Sequence, residues 1–304
     1  LWGEDSDRDG GEPLIIVPGP ASTDLARKTA SLGGFSLCEL AFKYEPDGES
    51  YFRFLTDIRG KDVAVIQSTP PPQDRNLIQL ILLCSGARQR GAKSVTAVVP
   101  YLAYARQDKM FMEGEVVSVS SVLQALEAAG VDHLITVNAH SPRALADAGI
   151  SFSNESAIPL LCRGLAKHGL EKPVVVTVGK EGDKVADEAC DILGAEYILA
   201  RTSRDRLTGV VDVSLDSEDL GGRDVAVLDD IISTGGTVIK TVKQLKEANV
   251  SKIYVGAVHL LLLENADEKL FLAGADLLLG TDTVPGKYSH VSVAEVLSRA
   301  LSSK

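Results

Sequence analysis

Short runs of β-branched and other apolar residues recur along this chain, separated by stretches with helical apolar spacing. The runs predict buried strands at Leu14–Val17, Asp62–Gln67, Ser94–Val99, His133–Val137, Val174–Val178, Asp224–Leu228 and Ile253–Val258. The intervening stretches Leu77–Arg90, Ser118–Ala129, Lys184–Leu193 and Gly236–Glu247 predict amphipathic helices. Strands without polar alternation are covered on both faces, and their alternation with helices points to parallel sheets in an α/β protein. The pattern also repeats. Lys61–Ser68 (KDVAVIQS), followed by a loop, a helix and Gly91–Pro100, has a counterpart in Arg223–Asp230 (RDVAVLDD), followed by a loop, a helix and Asn249–His259. Two related halves are expected, with the break near Ala148–Ser151.

Composition narrows the class. The chain has 304 residues, 45% of them hydrophobic and 24% charged, which is enough for two packed cores and is unlike a disordered chain. A net charge of −11 disfavours nucleic acid as a partner but leaves a small polyanion open, because local N–H groups and a metal outweigh a distant surface charge. Cys38, Cys84, Cys162 and Cys190 show no CxxC pairing and read as buried free thiols in a reducing, cytoplasmic setting. The longest apolar stretch, Val255–Leu263, is about half of the roughly 20 residues a membrane span needs, so no membrane partner is expected. No secretory signal opens the sequence, and residues 1–13, acidic and rich in Gly, are expected to form a loose tail.

The strongest chemical signal lies at Leu228–Thr237. An apolar strand ends in Asp229 and Asp230, then runs through Ile-Ile-Ser-Thr-Gly-Gly-Thr into a helix. A loop at the carboxyl end of a parallel strand sits in the crevice where α/β proteins bind ligands. Gly235 and Gly236 carry no Cβ to block an approaching anion. Ser233, Thr234 and Thr237 add hydroxyls, and the helix N-terminus adds free N–H groups and a positive dipole. The two carboxylates suit vicinal sugar hydroxyls. Neither GxxxxGK[ST] nor GxGxxG is present here, so the loop is not of the Walker or dinucleotide kind.

At these residues the chain resembles the ribose-phosphate-binding loop of the phosphoribosyltransferase superfamily. Further motifs are similar to those of one member, the ribose-phosphate diphosphokinase (PRPP synthase) family in its archaeal form. Tyr44-Glu-Pro-Asp-Gly-Glu49 resembles the adenine-contacting loop, Gln67-Ser-Thr69 the segment before the long N-terminal helix, and Pro100–Lys109 (PYLAYARQDK) the ATP-binding segment. Thr136-Val-Asn-Ala-His140 resembles the stretch of the metal-associated histidine, and Gly280-Thr-Asp-Thr283 with Val291–Val296 the family's C-terminal end. The likeness spans about residues 14–300.

The resemblance implies two related type I phosphoribosyltransferase-like domains, each a mainly parallel sheet flanked by helices. They are expected at 14–149 and 150–285, with a C-terminal helix in 286–304 packing back on the first. It implies transfer of the diphosphoryl group of ATP to ribose 5-phosphate with Mg²⁺, in a homo-oligomer. Tyr44, Asp47, Glu49, Arg106, Gln107 and Asp108 would then serve ATP, and Asp229, Asp230, Ser233, Thr234, Gly235, Gly236 and Thr237 the sugar phosphate. Lys109, His140, Arg201 and Arg204 would be catalytic, with His140 also at the metal. The loop Lys109–Val117 would close over ATP around Gly114. Two departures stand out. Gly179 takes the place of a ribose-holding Asp, with Glu181 and Asp183 as displaced candidates. Arg201 and Ser203 stand where the family carries Lys and Arg, and Arg does not reproduce a compact ammonium. A regulatory homologue with feeble turnover, or a transferase that consumes PRPP, therefore remain alternatives to the synthase.

Overall fold

The computed structural model describes residues 14–146, 149–170, 173–178, 182–204, 211–215 and 220–303. The first half runs β1 (Ile15–Pro18), α1 (Thr23–Gly33), β2 (Ser36–Leu37), β3 (Leu40–Tyr44), β4 (Ser50–Phe54), β5 (Asp62–Ile66) and α2 (Gln73–Gln89). It continues with β6 (Ser94–Val99), α3 (Ser118–Ala128), β7 (His133–Val137), α4 (Pro142–Leu145) and β8 (Ser151–Glu155). Next come α5 (Ile158–Ala166), β9 (Val174–Val178), α6 (Gly182–Leu193), β10 (Glu196–Arg204), β11 (Val211–Ser214) and β12 (Asp224–Ile232). The chain then passes through α7 (Gly236–Glu247), β13 (Lys252–Leu260), α8 (Ala266–Ala273), β14 (Leu277–Thr281), β15 (Ser289–Val291) and α9 (Ala294–Ser302).

Two sheets result, in the orders β2-β1-β5-β6-β7-β8 and β11-β10-β9-β12-β13-β14-β15, with β3 and β4 as a separate antiparallel hairpin. Among the described residues every pairing in the first sheet is parallel, and in the second only β10 with β11 is antiparallel. Dropping β11 makes the two orders superimpose strand for strand, with β5 in the place of β12 and β6 in that of β13. The repeat in the sequence is thus a repeat of the fold. The switch of sheet falls later than expected, however. β8 pairs with β7 from His133↔Ser151 to Val137↔Glu155, so the chain leaves the first sheet after Glu155 rather than near residues 148–151. Its polar sequence, Ser-Phe-Ser-Asn-Glu, suits an edge strand and gives no apolar run to detect.

The two-faced strands explain how the layers stack. On β5, Val63 and Val65 face a core shared with α2 and α3, while Ala64 and Ile66 face the opposite way. The core on that opposite side is common to both halves. It gathers Ile16, Ile66 and Ile135 from the first sheet with Val175, Leu228 and Val258 from the second, around α1, α5 and α9. The C-terminal helix α9 contributes Leu297 and Leu301 there, beside Leu25 and Ala30 of α1, and Lys28 reaches Asp282 at 3.1 Å on the same side. Burying a Leu or Val side chain contributes about 1.5–3 kcal/mol, so this shared layer fixes the halves firmly against each other.

Candidate functional site

The carboxyl end of β12 forms the centre of the site. The strand runs further than its apolar stretch predicts, to Ile232, because Asp229, Ile231 and Ile232 keep their register with Ala257, His259 and Leu260 of β13. Asp229 and Asp230 therefore project from ordered strand, not from loop. Beyond them Ser233 and Thr234 lead to Gly235, whose backbone is left-handed at φ 73°, and α7 begins at Gly236. Only glycine takes that conformation without strain. Among the described residues no side chain caps α7, so its first-turn N–H groups face the loop together with Ser233, the exposed Thr234 and Gly236, and Thr237. A neighbouring stretch braces the turn. Leu261 and Leu262 donate backbone N–H bonds to the Ile232 carbonyl at 2.9 and 3.2 Å, and Leu263 donates to the Ser233 carbonyl at 3.0 Å.

The other half delivers His140 to the same place. Its Nδ1 lies 2.6 Å from Oδ2 of Asp230, which joins residues from different sheets. Burial pushes the Asp230 carboxyl upward, but hydrogen bonds from His140 and with Asp229 outweigh it and hold the group at about 2. Asp229 is raised well above the usual carboxylate range by burial and by the adjacent charge of Asp230, against which the nearby Arg106 guanidinium pulls. The two neighbouring carboxyls are thus driven apart, one ionised and one inclined to keep its proton.

Around this pair the Tyr101–Lys109 segment is fixed from several sides. Ser141 donates to Asp108 at 2.8 Å, and Ser118 donates to the Gln107 amide oxygen at 2.8 Å. Lys109 lies over the Phe111 ring at 5.3 Å. Tyr44 sits at the end of β3, with its hydroxyl accepting from Gln79 at 3.3 Å and its ring 5.2 Å from the Arg75 guanidinium. Asp47 and Glu49 occupy the exposed hairpin tip, where the Glu49 N–H donates to Asp47 at 3.1 Å. The structure therefore brings together Asp229, Asp230, His140, Arg106 and, through Ser141, Asp108. It leaves Asp47 and Glu49 bonded within their own turn.

Arg201, Ser203 and Arg204 lie on β10, in backbone register with Ser214, Asp212 and Val211 of β11, and their side chains fall outside the described residues. Gly179 and Glu181 are likewise outside them, whereas Asp183 stands exposed in the first turn of α6. One residue of the junction escapes sequence reasoning. His259 is buried at 1% exposure between the halves, its Nε2 3.0 Å from the Val137 carbonyl and its Nδ1 2.8 Å from Thr283 Oγ1. A lone His inside the apolar run Val255–Leu263 was the only hint.

Two related α/β units, one bearing a strand–acid–glycine turn at the carboxyl end of β12, define a protein of the phosphoribosyltransferase class. Residues 14–130 match the N-terminal domain of ribose phosphate pyrophosphokinase and residues 153–271 a phosphoribosyl transferase domain. A ribose-phosphate pyrophosphokinase of Sulfurisphaera tokodaii is 36% identical over 93% of this chain and 97% of its own. One of Methanobrevibacter smithii is 37% identical over 94% of this chain and 99% of its own. The crystal structure of phosphoribosylpyrophosphate synthetase from Mycobacterium smegmatis superimposes with a TM-score of 0.85 at 25% identity, covering 96% of this chain and 98% of that one. The chain belongs to the ribose-phosphate pyrophosphokinase family.

Proposed function

We propose that this chain transfers the diphosphoryl group of ATP to the C1 hydroxyl of ribose 5-phosphate, giving PRPP and AMP. The observation that carries the reading is the 2.6 Å contact of His140 with Asp230, which joins the ATP-side half to the sugar-phosphate loop. Relatives named ribose-phosphate pyrophosphokinase, matched over nearly their full length, support it.

In this reading the 5-phosphate rests on the N–H groups at Gly235 and Gly236, with hydroxyls of Ser233, Thr234 and Thr237 around it. Asp229 and Asp230 accept from the ribose hydroxyls. Tyr44, Asp47 and Glu49 hold adenine, while Arg106, Gln107 and Asp108 orient the polyphosphate. Lys109, Arg201 and Arg204 supply positive charge to the group in flight. The C1 oxygen bonds to the β-phosphorus as the bond from that phosphorus to the α,β-bridging oxygen breaks. AMP leaves with that oxygen, and the hydroxyl proton is released. Among the described residues no three His, Cys, Asp or Glu groups converge as a metal cage. Mg²⁺ would arrive on the polyphosphate, whose oxygens are hard ligands, with His140, paired to Asp230 at 2.6 Å, as the protein's contact to it. When bound, Mg²⁺ withdraws charge from the phosphate oxygens.

The setting we propose is the cytoplasm. The described cysteines are all free, and among the described residues no helix is long and apolar enough to cross a membrane. Met110, Phe111 and Met112 stand exposed at 57%, 37% and 61%, which supports a homo-oligomer in which a neighbouring copy covers them. Incubation with Mg·ATP and ribose 5-phosphate tests the activity. AMP should accumulate, and output no higher than that of a His140→Ala control would end the reading in favour of a regulatory homologue, as Gly179 and Ser203 would suggest.

A further inference from the structure

The contacts around His259 form a closed circuit through both halves of the site. On β13, His259 is in register with Ile231 of β12, the residue directly after Asp230. Its Nε2 is 3.0 Å from the carbonyl of Val137, the last residue of β7. From there the chain turns through Asn138, at φ 39°, to reach His140, and His140 closes the circuit on Asp230 at 2.6 Å.

The ring's chemistry fixes the direction of each bond. A carbonyl only accepts, so Nε2 carries the hydrogen and donates it to Val137, and Nδ1 must accept. Thr281 and Thr283 both reach the Val258 carbonyl, at 2.8 and 2.9 Å. Thr281 alone satisfies it, which leaves the single Thr283 hydrogen for Nδ1 at 2.8 Å. Across the ring, Tyr101 packs at a centroid distance of 5.0 Å. Tyr101 belongs to a small buried cluster with Ala103, Ile231 and Val284, again drawn from both halves.

The Asn138 turn needs such support. A positive φ is uncommon for a residue with a side chain and persists where the surroundings enforce it. Asn138 is held on one side by β8, its N–H donating to the Glu155 carbonyl at 2.8 Å, and by its own Oδ1, which accepts from Ala157 at 2.7 Å. His259 holds the other side, from the second sheet.

We propose that His259 is a positioning residue of this site: by gripping the Val137 carbonyl across the junction it fixes the turn that carries His140 to Asp230. It touches neither substrate. The turnover part of its test rests on the functional reading above, whereas the spectroscopic part does not.

His259→Leu removes both nitrogens while retaining bulk. It should lower kcat about thirtyfold, the effect of one charge-assisted hydrogen bond missing from the transition state, with KM for ribose 5-phosphate within about threefold of the parent. His259→Gln, whose amide N–H again faces a carbonyl, should recover about tenfold of that loss. Val255→Ala opens a cavity in the core confined to the second half, and so supplies a control destabilised without touching the junction. ¹⁵N imidazole spectra read the geometry directly. The His140 Nδ1 resonance should move in His259→Leu and stay in place in Val255→Ala.

A fall of kcat no greater than in Val255→Ala, a rise of KM in step with the fall of kcat, or an unmoved His140 resonance would each overturn the proposal. Should His259→Leu not fold, Thr283→Val decides by the same two readouts, with a decrease in kcat of about threefold expected from one weakened hydrogen bond. A parent protein that forms no AMP defeats the synthase reading alone, because the resonance still reports on the His259 contact.

Discussion

At the carboxyl end of β12, two adjacent acids with the same chemistry receive opposite environments. Asp230 is held at about 2 chiefly through His140, and Asp229 is pushed well up by burial. Asp230→Asn should remove a charged hydrogen bond worth roughly 1.5–3 kcal/mol, lowering kcat/KM for AMP formation about ten- to a hundredfold. His259 offers a test by pH. Burial lowers its imidazole from 6.5 to about 4, against the upward pull of Asp230. Between those values the unfolded chain binds a proton that the folded one refuses, so stability is full above 6.5 and declines as pH falls toward 4. The decline amounts to about 3 kcal/mol over that window, and urea unfolding of His259→Gln should show a correspondingly flatter pH dependence. The placement of Asp229, Asp230 and the glycine turn was legible, because spacing alone puts them between a strand and a helix. His259 was not, since an apolar run hides whichever of its members faces another domain.

The glycine turn shows what one element contributes. A Cβ at Gly235 would meet Ile239 Cδ1 at 3.3 Å and Ala266 Cβ at 3.5 Å, distances that neighbours absorb, but φ 73° would remain. Gly235→Ala should therefore cost about 1–2 kcal/mol through the backbone. Calorimetric titration should show ribose 5-phosphate binding weakened about tenfold, as the turn shifts to relieve the strain. Elements with one kind of side chain were the easiest to foresee. Val174–Val178 is buried at every position, and α7 starts and stops where its apolar spacing does. The hairpin β3–β4 was missed, since no residue of Leu40–Tyr44 or Ser50–Phe54 is fully buried and Lys43, Ser50 and Arg53 interrupt any continuous apolar run. β12 outran its expected end because acids in a strand look like loop until their pairing with β13 is seen.

Across the whole molecule, the duplication was visible in two matching strand segments, whereas the junction was not. Val137 and His259 are separated by 122 positions, and no local pattern encodes such a contact. The common core implies cooperative unfolding. Leu297→Ala, at a fully buried position of α9, should cost about 2–5 kcal/mol. Probes in either half should shift to lower temperature together, and two separated transitions would refute the coupling. The placement of α9 also bears on biosynthesis. Its partner α1 emerges early from the ribosome, while the helix that covers Leu25 and Ala30 is made only after the entire second sheet. Throughout that interval a nascent chain shows an apolar strip that completed molecules hide. A ribosome stalled anywhere in the second half thus displays its own unfinished product to chaperones and proteases.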